Sequence, residues 1–369
     1  MRFYRPTWAQ IDLDSLGHNF FQVKKKVSPQ TRILVTVKAD AYGHGLVPVS
    51  KRLQECGADF MGVASIDEGI RLREAGIKAP ILILGLILKS DILPLFEYGL
   101  STAVCDEELC RALNRKAAQL GQKLNVHIKV DTGMGRIGVR HYDARRLVKN
   151  IHAFKHLRVE GLFTHFAFAD LNRKFTYYQI GLFEKLLSDL GRDGIRVPLV
   201  HAANSMGLID YRDSHFNMVR PGLVIYGLYP KQELAIKLKP VLSLKTRAVF
   251  VKKVPAGSGI SYGHHYVTRR ATQIVTLPIG YGDGYPRNLS NKAPVLIKGK
   301  RFKMCGRICM DQIMVDVGNE PVKAGDEVVL IGRQGKCRIT AEELADLSNT
   351  IPYEIVCGLG SRIPRVTTL

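Results

Sequence analysis

Between residues 32 and 227 the chain alternates short apolar, β-rich runs with longer amphipathic stretches. The runs fall at residues 32–39, 60–65, 80–87, 101–105, 124–131, 159–166, 198–203 and 217–227. Helices are predicted between them, for example over 106–120 and 175–190. The first opens on Asp106, Glu107 and Glu108, the acidic turn that a helix dipole favours. The second is expected to stop at a Gly191 C-cap. Eight strands separated by helices are what a (β/α)8 barrel needs. A doubly wound open sheet is the alternative. The similar character of all eight runs, and the lack of a Gly-rich fingerprint after the first, favour the barrel. Past residue 237 the texture becomes strand-rich, with runs at 242–254, 272–279, 295–303, 312–317 and 327–332. One helix is predicted there, over 340–347, with Thr340 and Glu343 as a capping box. The expected fold is therefore α/β: an N-terminal (β/α)8 TIM-like barrel over residues 1–235, followed by a mostly β C-terminal domain over 236–369. The first twelve or so residues are expected to pair with the C-terminal domain. The boundary, at 230–240, is short, so the parts should pack rather than swing.

Composition narrows the classes. Of 369 residues 46% are hydrophobic and 24% charged, enough for a large core. The apolar stretch 80–88 is too short to span a bilayer, and residues 1–14 lack the apolar centre of a signal peptide. No membrane partner is expected. The seven cysteines, an odd number, are expected as free thiols in a reducing cytoplasm. Cys305 and Cys309 have no second pair at zinc-ligand spacing, so no metal is expected. The net charge is +21, but the basic residues are spread along the chain, densest at 24–26 and 298–303, with no binding motif. That pattern does not call for nucleic acid.

The candidate chemistry lies at the ends of the predicted strands, where barrels place it. In the first run Ile33, Val35 and Val37 share one face, and Leu34, Thr36 and Lys38 the other. Lys38 thus stands at the barrel mouth, where a desolvated amine can form a Schiff base; a surface lysine just past the strand is equally open. In the fifth run His127, Lys129 and Asp131 take the inward parity. The loop Thr132-Gly133-Met134-Gly135-Arg136 follows. The sixth run ends Thr164-His165, the seventh His201-Ala202-Ala203-Asn204-Ser205, and the eighth carries Arg220-Pro221-Gly222. Barrels commonly hold phosphate after strands seven and eight. A hydroxyl from Ser205 and a close backbone at Gly222 suit one. A Schiff-base lysine opposite a phosphate site describes a pyridoxal phosphate pocket.

The motifs TWAQIDLD (7–14), VKADAYGHG (37–45), KVDTGMGRIG (129–138), HAANS (201–205), VRPGLVIYG (219–227), GISYGHHY (259–266), PIGYGDGYPR (278–287), CGRICMDQ (305–312) and IPYEI (351–355) cover essentially the whole chain. In them the sequence resembles the alanine racemases, fold-type III pyridoxal 5'-phosphate enzymes. The resemblance implies a homodimer with shared active sites, interconverting L- and D-alanine to supply peptidoglycan synthesis. It implies two catalytic bases: Lys38, which carries the cofactor, and Tyr262 from the partner subunit. Arg220 would face the pyridine nitrogen and Arg136 the phenolic oxygen, with His165 behind Arg220 and Tyr262 in a hydrogen-bond chain. Tyr42, Ser205, Gly222 and Tyr353 would hold the phosphate, beside Asn204 and Leu223. Met310 and Asp311 of the partner would face the substrate carboxylate, which Arg136 also serves, and Tyr281 would line the entrance. Lys129, next to Arg136, would be carbamylated; pairing with Asp131 or another carboxylate is the alternative. Cys309 is expected to be a buried packing residue.

Other readings are weaker. A barrel decarboxylase would by family pattern carry a carboxylate where Arg220 stands. A pyridoxal phosphate carrier would have no use for a second domain. A serine or broad-spectrum racemase differs by few contacts, although Tyr353 and Lys129 favour alanine.

Overall fold

The computed structural model describes residues 4–229 and 235–368. Eight parallel strands close into a barrel: Arg32–Thr36, Phe60–Val63, Ile81–Ile83, Ser101–Val104, Leu124–Asp131, Leu157–Phe163, Leu199–His201 and Met218–Val219. Each bonds to the next and the eighth returns to the first. The alternation of side chains sorts them as the period of two demands. Leu34, Phe60, Leu82, Leu199 and Met218 fill the interior. Ile33, Val35, Val37, Val126, Ile128 and Val130 join the core between strands and helices.

Several runs are shorter than composition suggests. The third keeps only Ile81–Ile83. The eighth keeps Met218–Val219, because Pro221 cannot donate to a ladder, and the chain then turns into the 3-10 helix Leu223–Tyr226. That turn packs against helix Leu13–Lys24, supplied from the chain's start. Asn19 of this helix donates to the carbonyls of Ile225 (3.0 Å) and Lys239 (2.7 Å) and accepts from the Lys239 N–H (2.8 Å). Helix Glu107–Gln119 is capped by Asp106, which accepts from the Leu109 N–H at 2.7 Å. Helix Arg173–Arg192 is capped by Asn172 and runs through Gly191; the backbone first turns left-handed at Gly194, φ 75°. Gly191 is therefore no C-cap.

The second part is a ten-stranded sheet. Thr7–Asp12 belongs to it, antiparallel to Leu242–Arg247 and parallel to Arg365–Thr368. The stretch 242–254 is two strands, Leu242–Arg247 and Phe250–Val254. The stretch 295–303 is a hairpin, turned at Lys298 and Gly299 with φ of 51° and 74°. Thr340 caps helix Ala341–Ser348, accepting from the Glu343 N–H at 3.1 Å. A helix that periodicity did not predict, Pro352–Cys357, sits over the barrel mouth. Gly43 makes this approach possible: a Cβ there would lie 2.1 Å from the Val356 carbonyl oxygen. Arg365 donates to the Gly43 carbonyl at 2.9 Å and Glu342 accepts from the Tyr229 N–H at 3.0 Å, so the two parts are bonded together. Of the boundary stretch 230–240, residues 230–234 lie outside the described residues. No described helix is long and apolar enough to cross a membrane.

Candidate active site

Lys38 leaves the first strand into an unusual turn. Ala39, Asp40, Ala41 and Tyr42 all take left-handed φ, between 53° and 55°. Each such residue costs about 1–2 kcal/mol, so the turn must be held by others. Glu68 accepts from the Ala39 N–H (2.6 Å) and the Ala64 N–H (2.8 Å), tying the ends of the first two strands. Asp40 accepts from the Leu46 N–H at 3.0 Å, and the Tyr226 hydroxyl donates to the Thr36 carbonyl at 2.9 Å. The result sends Lys38 and Tyr42 into one cavity of about 550 Å³.

That cavity is lined by Lys38, Lys129, Arg136 and Arg220, and its lining holds no Asp or Glu. Charge repulsion and burial should push the amines toward neutrality. Burial first, then Arg136, lowers the pKa of Lys38. Burial, Arg220 and Arg136 hold Lys129 well below the ordinary lysine range. Lys129 lies 4.3 Å from the Phe163 ring centroid and has no carboxylate at ion-pair distance among the described residues. Asp131 is engaged elsewhere: it accepts from the N–H groups of Gly133 (2.9 Å) and Gly135 (3.1 Å) and from Arg140 (3.0 Å). The alternative pairing of Lys129 with Asp131 is thus not formed, and Asp131 instead shapes the loop that delivers Arg136.

At one end of the cavity, the Gly222 N–H donates to the Ser205 hydroxyl at 3.0 Å. A Cβ on Gly222 would sit 2.7 Å from the Tyr42 hydroxyl, so only glycine leaves this cradle open. Tyr353, from helix Pro352–Cys357, comes within 5.7 Å of the Tyr42 ring, and burial raises its pKa to about 12. Asn204 and Leu223 line the same end; Asn204 is fixed by accepting from the Gly207 N–H at 2.9 Å. Deeper in, Arg220 donates to His201 Nδ1 (2.9 Å) and to the carbonyls of Thr164 (2.7 Å) and Ala202 (3.0 Å). Burial lowers its pKa to about 9, still charged at neutral pH. His165 lies 3.4 Å from Arg220; burial, Lys129 and Arg220 hold it well below the usual histidine range, so it is neutral.

The remaining expected residues lie elsewhere on the chain. Tyr262, Met310 and Asp311 share an open cleft of the second domain, with Val249 and Phe250, and none of them lines the Lys38 cavity. Tyr262 rides a stiff turn in which Ser261, Gly263 and His264 have φ of 64°, 69° and 46°. Tyr281 lies beside them, its N–H bonded to the Cys309 carbonyl at 3.1 Å. Asp311 is bound to Arg362 at 2.6 Å. Cys309 is half-buried rather than buried, 3.5 Å from the Ser261 hydroxyl. Sequence reasoning missed Glu68, Glu160, Phe163 and Cys357. Cys357 lines the cavity one helical turn beyond Tyr353, a spacing that would have revealed it had the helix been predicted.

A family profile described as the alanine racemase N-terminal domain matches residues 11–230, and one described as the C-terminal domain matches 241–367. The alanine racemase of Halothermothrix orenii is 50% identical over 99% of this chain and 97% of its own. That of Symbiobacterium thermophilum is 48% identical, over 98% and 97%. Among solved structures, the alanine racemase of Clostridium difficile 630 superposes with a TM-score of 0.95 at 38% identity, covering 100% of this chain and 97% of that one. The Bacillus anthracis alanine racemase with bound L-Ala-P gives 0.94 at 38% identity, covering 100% and 96%. The barrel with its β-rich second domain and this agreement over both full lengths place the chain, an amino-acid racemase, in the alanine racemase family.

Proposed function

We propose that the chain is a pyridoxal 5'-phosphate-dependent alanine racemase, working as a cytoplasmic homodimer and supplying D-alanine for peptidoglycan synthesis. The observation that carries this is the cavity at the barrel mouth, which gathers Lys38, Lys129, Arg136 and Arg220 with no carboxylate among its lining. Such a site suits an occupant with several negative charges, here a phosphate together with an amino-acid carboxylate.

The residues present fit the cofactor. The cradle at Gly222, with Ser205, Tyr42 and Tyr353, would take the phosphate, with Asn204 and Leu223 beside it. Lys38 would be the point of covalent attachment. Arg220 would meet the pyridine nitrogen; because a guanidinium only donates, it keeps that nitrogen unprotonated. When bound, pyridoxal phosphate supplies an electron-accepting ring that acidifies the Cα–H of an attached amino acid. Burial and Arg136 favour a neutral Lys38 amine, which serves as one proton acceptor. Tyr262 of a second copy would stand on the opposite face of Cα as the other base. Met310 and Asp311 of that copy, with Arg136, would surround the substrate carboxylate, and Tyr281 would line the entrance. Lys129 would be carbamylated: its neutral amine forms an N–C bond to carbon dioxide and releases one proton to solvent, leaving an anion that interacts favourably with Arg136 and Arg220.

Adding pyridoxal phosphate to the purified chain should give a visible absorption band that borohydride abolishes, with the added mass on Lys38. Lys38→Ala should lose the band and the racemisation of alanine while keeping the thermal transition of the parent. A Lys38→Ala chain that racemises at the parental rate contradicts the assignment. Chiral assay of alanine, serine and lysine tests the substrate.

A further inference from the structure

Barrel interiors are ordinarily packed with branched aliphatic side chains. This one carries a polar chain along its axis. Arg220 Nη1 lies 2.9 Å from His201 Nδ1, His201 Nε2 lies 2.9 Å from His127 Nδ1, and His127 Nε2 lies 3.0 Å from Glu160 Oε2. Both histidines are fully buried. The order of protons along it is fixed by chemistry. A guanidinium has no acceptor atom, so His201 Nδ1 must accept. His201 then carries its proton on Nε2 and donates to His127 Nδ1. His127 in turn donates from Nε2 to the Glu160 carboxylate.

The surroundings are built for it. Val126 pairs with Val159 but His127 pairs with Gly161, so Glu160 is a β-bulge in the sixth strand. A bulge re-aims a side chain that strict alternation would send elsewhere. A Cβ on Gly161 would lie 2.1 Å from His127 Nδ1, so glycine makes room for the ring. Phe163 stacks on His201 with centroids 4.7 Å apart and planes 4° apart. Ser101 (3.2 Å) and Asn125 (3.1 Å) donate to the two Glu160 oxygens. Burial opposes ionisation of Glu160, but His127, Ser101 and Arg158 outweigh it and its pKa is lowered. Burial lowers both histidines, so both are neutral. Leaving any of these nitrogens unpartnered would incur its desolvation cost with no hydrogen bond in return. A packing role alone would be met more cheaply by aliphatic residues.

We propose that Glu160, His127 and His201 are positioning residues that lock the Arg220 guanidinium in one orientation and supply, through two neutral imidazoles, the counter-charge it lacks at the barrel mouth. The functional half of this rests on the reading that Arg220 faces the cofactor's ring.

Two measurements on the full chain test it. Side-chain nitrogen NMR of histidine-labelled protein without cofactor, assigned with His127→Gln and His201→Gln, should show both rings neutral and protonated on Nε2. A scalar coupling should cross the bond between them. Either ring protonated on Nδ1, or doubly protonated, overturns the relay whether or not the cofactor reading holds. In the loaded enzyme, Glu160→Gln keeps the acceptor oxygen but removes the charge. It should shift the visible band and lower kcat, up to about 100-fold, with KM for alanine nearly unchanged. If Glu160→Gln does not fold, Asn125→Ala should move the band and kcat the same way by less. A variant that loses stability alone, with band and kcat as in the parent, overturns the proposal. Failure of the parent chain to give any band counts instead against the cofactor reading, and the NMR measurement still decides the proton order.

Discussion

Lys129 concentrates the cost of this site in one group. It is buried against the Phe163 ring, and burial together with the Arg220 and Arg136 charges outweighs the attraction of Asp131. Its pKa in the folded chain is lowered from 10.5, while the unfolded chain keeps the ordinary value. Between those two values the unfolded state holds more protons, so folding stability must rise with pH across that window. Below it, both states are charged and the folded state bears the full desolvation cost. Chemical denaturation of the parent and of Lys129→Met, in buffers freed of carbon dioxide from pH 7 to 10.5, should show the difference moving in the parent's favour as pH rises. A flat or opposite trend would refute the buried-cation account. Bicarbonate at neutral pH should then raise the melting temperature of the parent and leave Lys129→Met unchanged, as carbamylation requires. The inward parity of Lys129 was legible because a strand's period of two is rigid, whereas Lys38 lies two residues past the end of its strand and reaches the cavity through the turn that follows. Glu160 was not legible, because the bulge breaks the count of two at its own position. Glu68 acts from a helix onto backbone N–H groups, a role that leaves no periodic trace.

The left-handed turn Ala39–Tyr42 shows an element set against the propensity of its residues. Ala39 is exposed, so glycine there loses little packing. Relief of about 1–2 kcal/mol of left-handed strain exceeds the roughly 0.4–1 kcal/mol that glycine costs through the unfolded chain. Ala39→Gly should therefore leave stability unchanged or raise it by up to about 1 kcal/mol, measured by urea unfolding. The same change at Ala117, buried in the right-handed helix Glu107–Gln119, should cost about 1 kcal/mol or more. A comparable loss at Ala39 would contradict the strain. At this scale strand identity was readable and strand length was not. Runs such as 80–87 and 217–227 continue in apolar residues after the ladder ends, because those residues go on to line the cavity or the 3-10 turn. Helix Pro352–Cys357 was missed for a related reason: a segment this short has too few turns to show a period.

At the scale of the whole molecule, the chain divides its chemistry between two places. The Lys38 cavity is cationic and recessed, whereas Tyr262 (69% exposed), Met310 (53%) and Phe250 (55%) are large apolar side chains open to solvent in a cleft they share with polar groups such as Lys252 and Asp311. Large apolar side chains left exposed and rimmed by polar groups are a mark of interfaces. A two-fold partner presenting that cleft would bring its Tyr262 to the Lys38 cavity and receive the same in return. The most direct test of this shared site is complementation. Lys38→Ala and Tyr262→Phe chains, each inactive alone, are unfolded, mixed in equal amounts and refolded. Each mixed dimer then has one cavity with its own Lys38 and an intact Tyr262 from its partner. Random pairing predicts recovery of about one quarter of the parental racemase activity. No recovery, with mixed dimers demonstrated by differential tags, would mean that both bases act within one chain and would contradict the account.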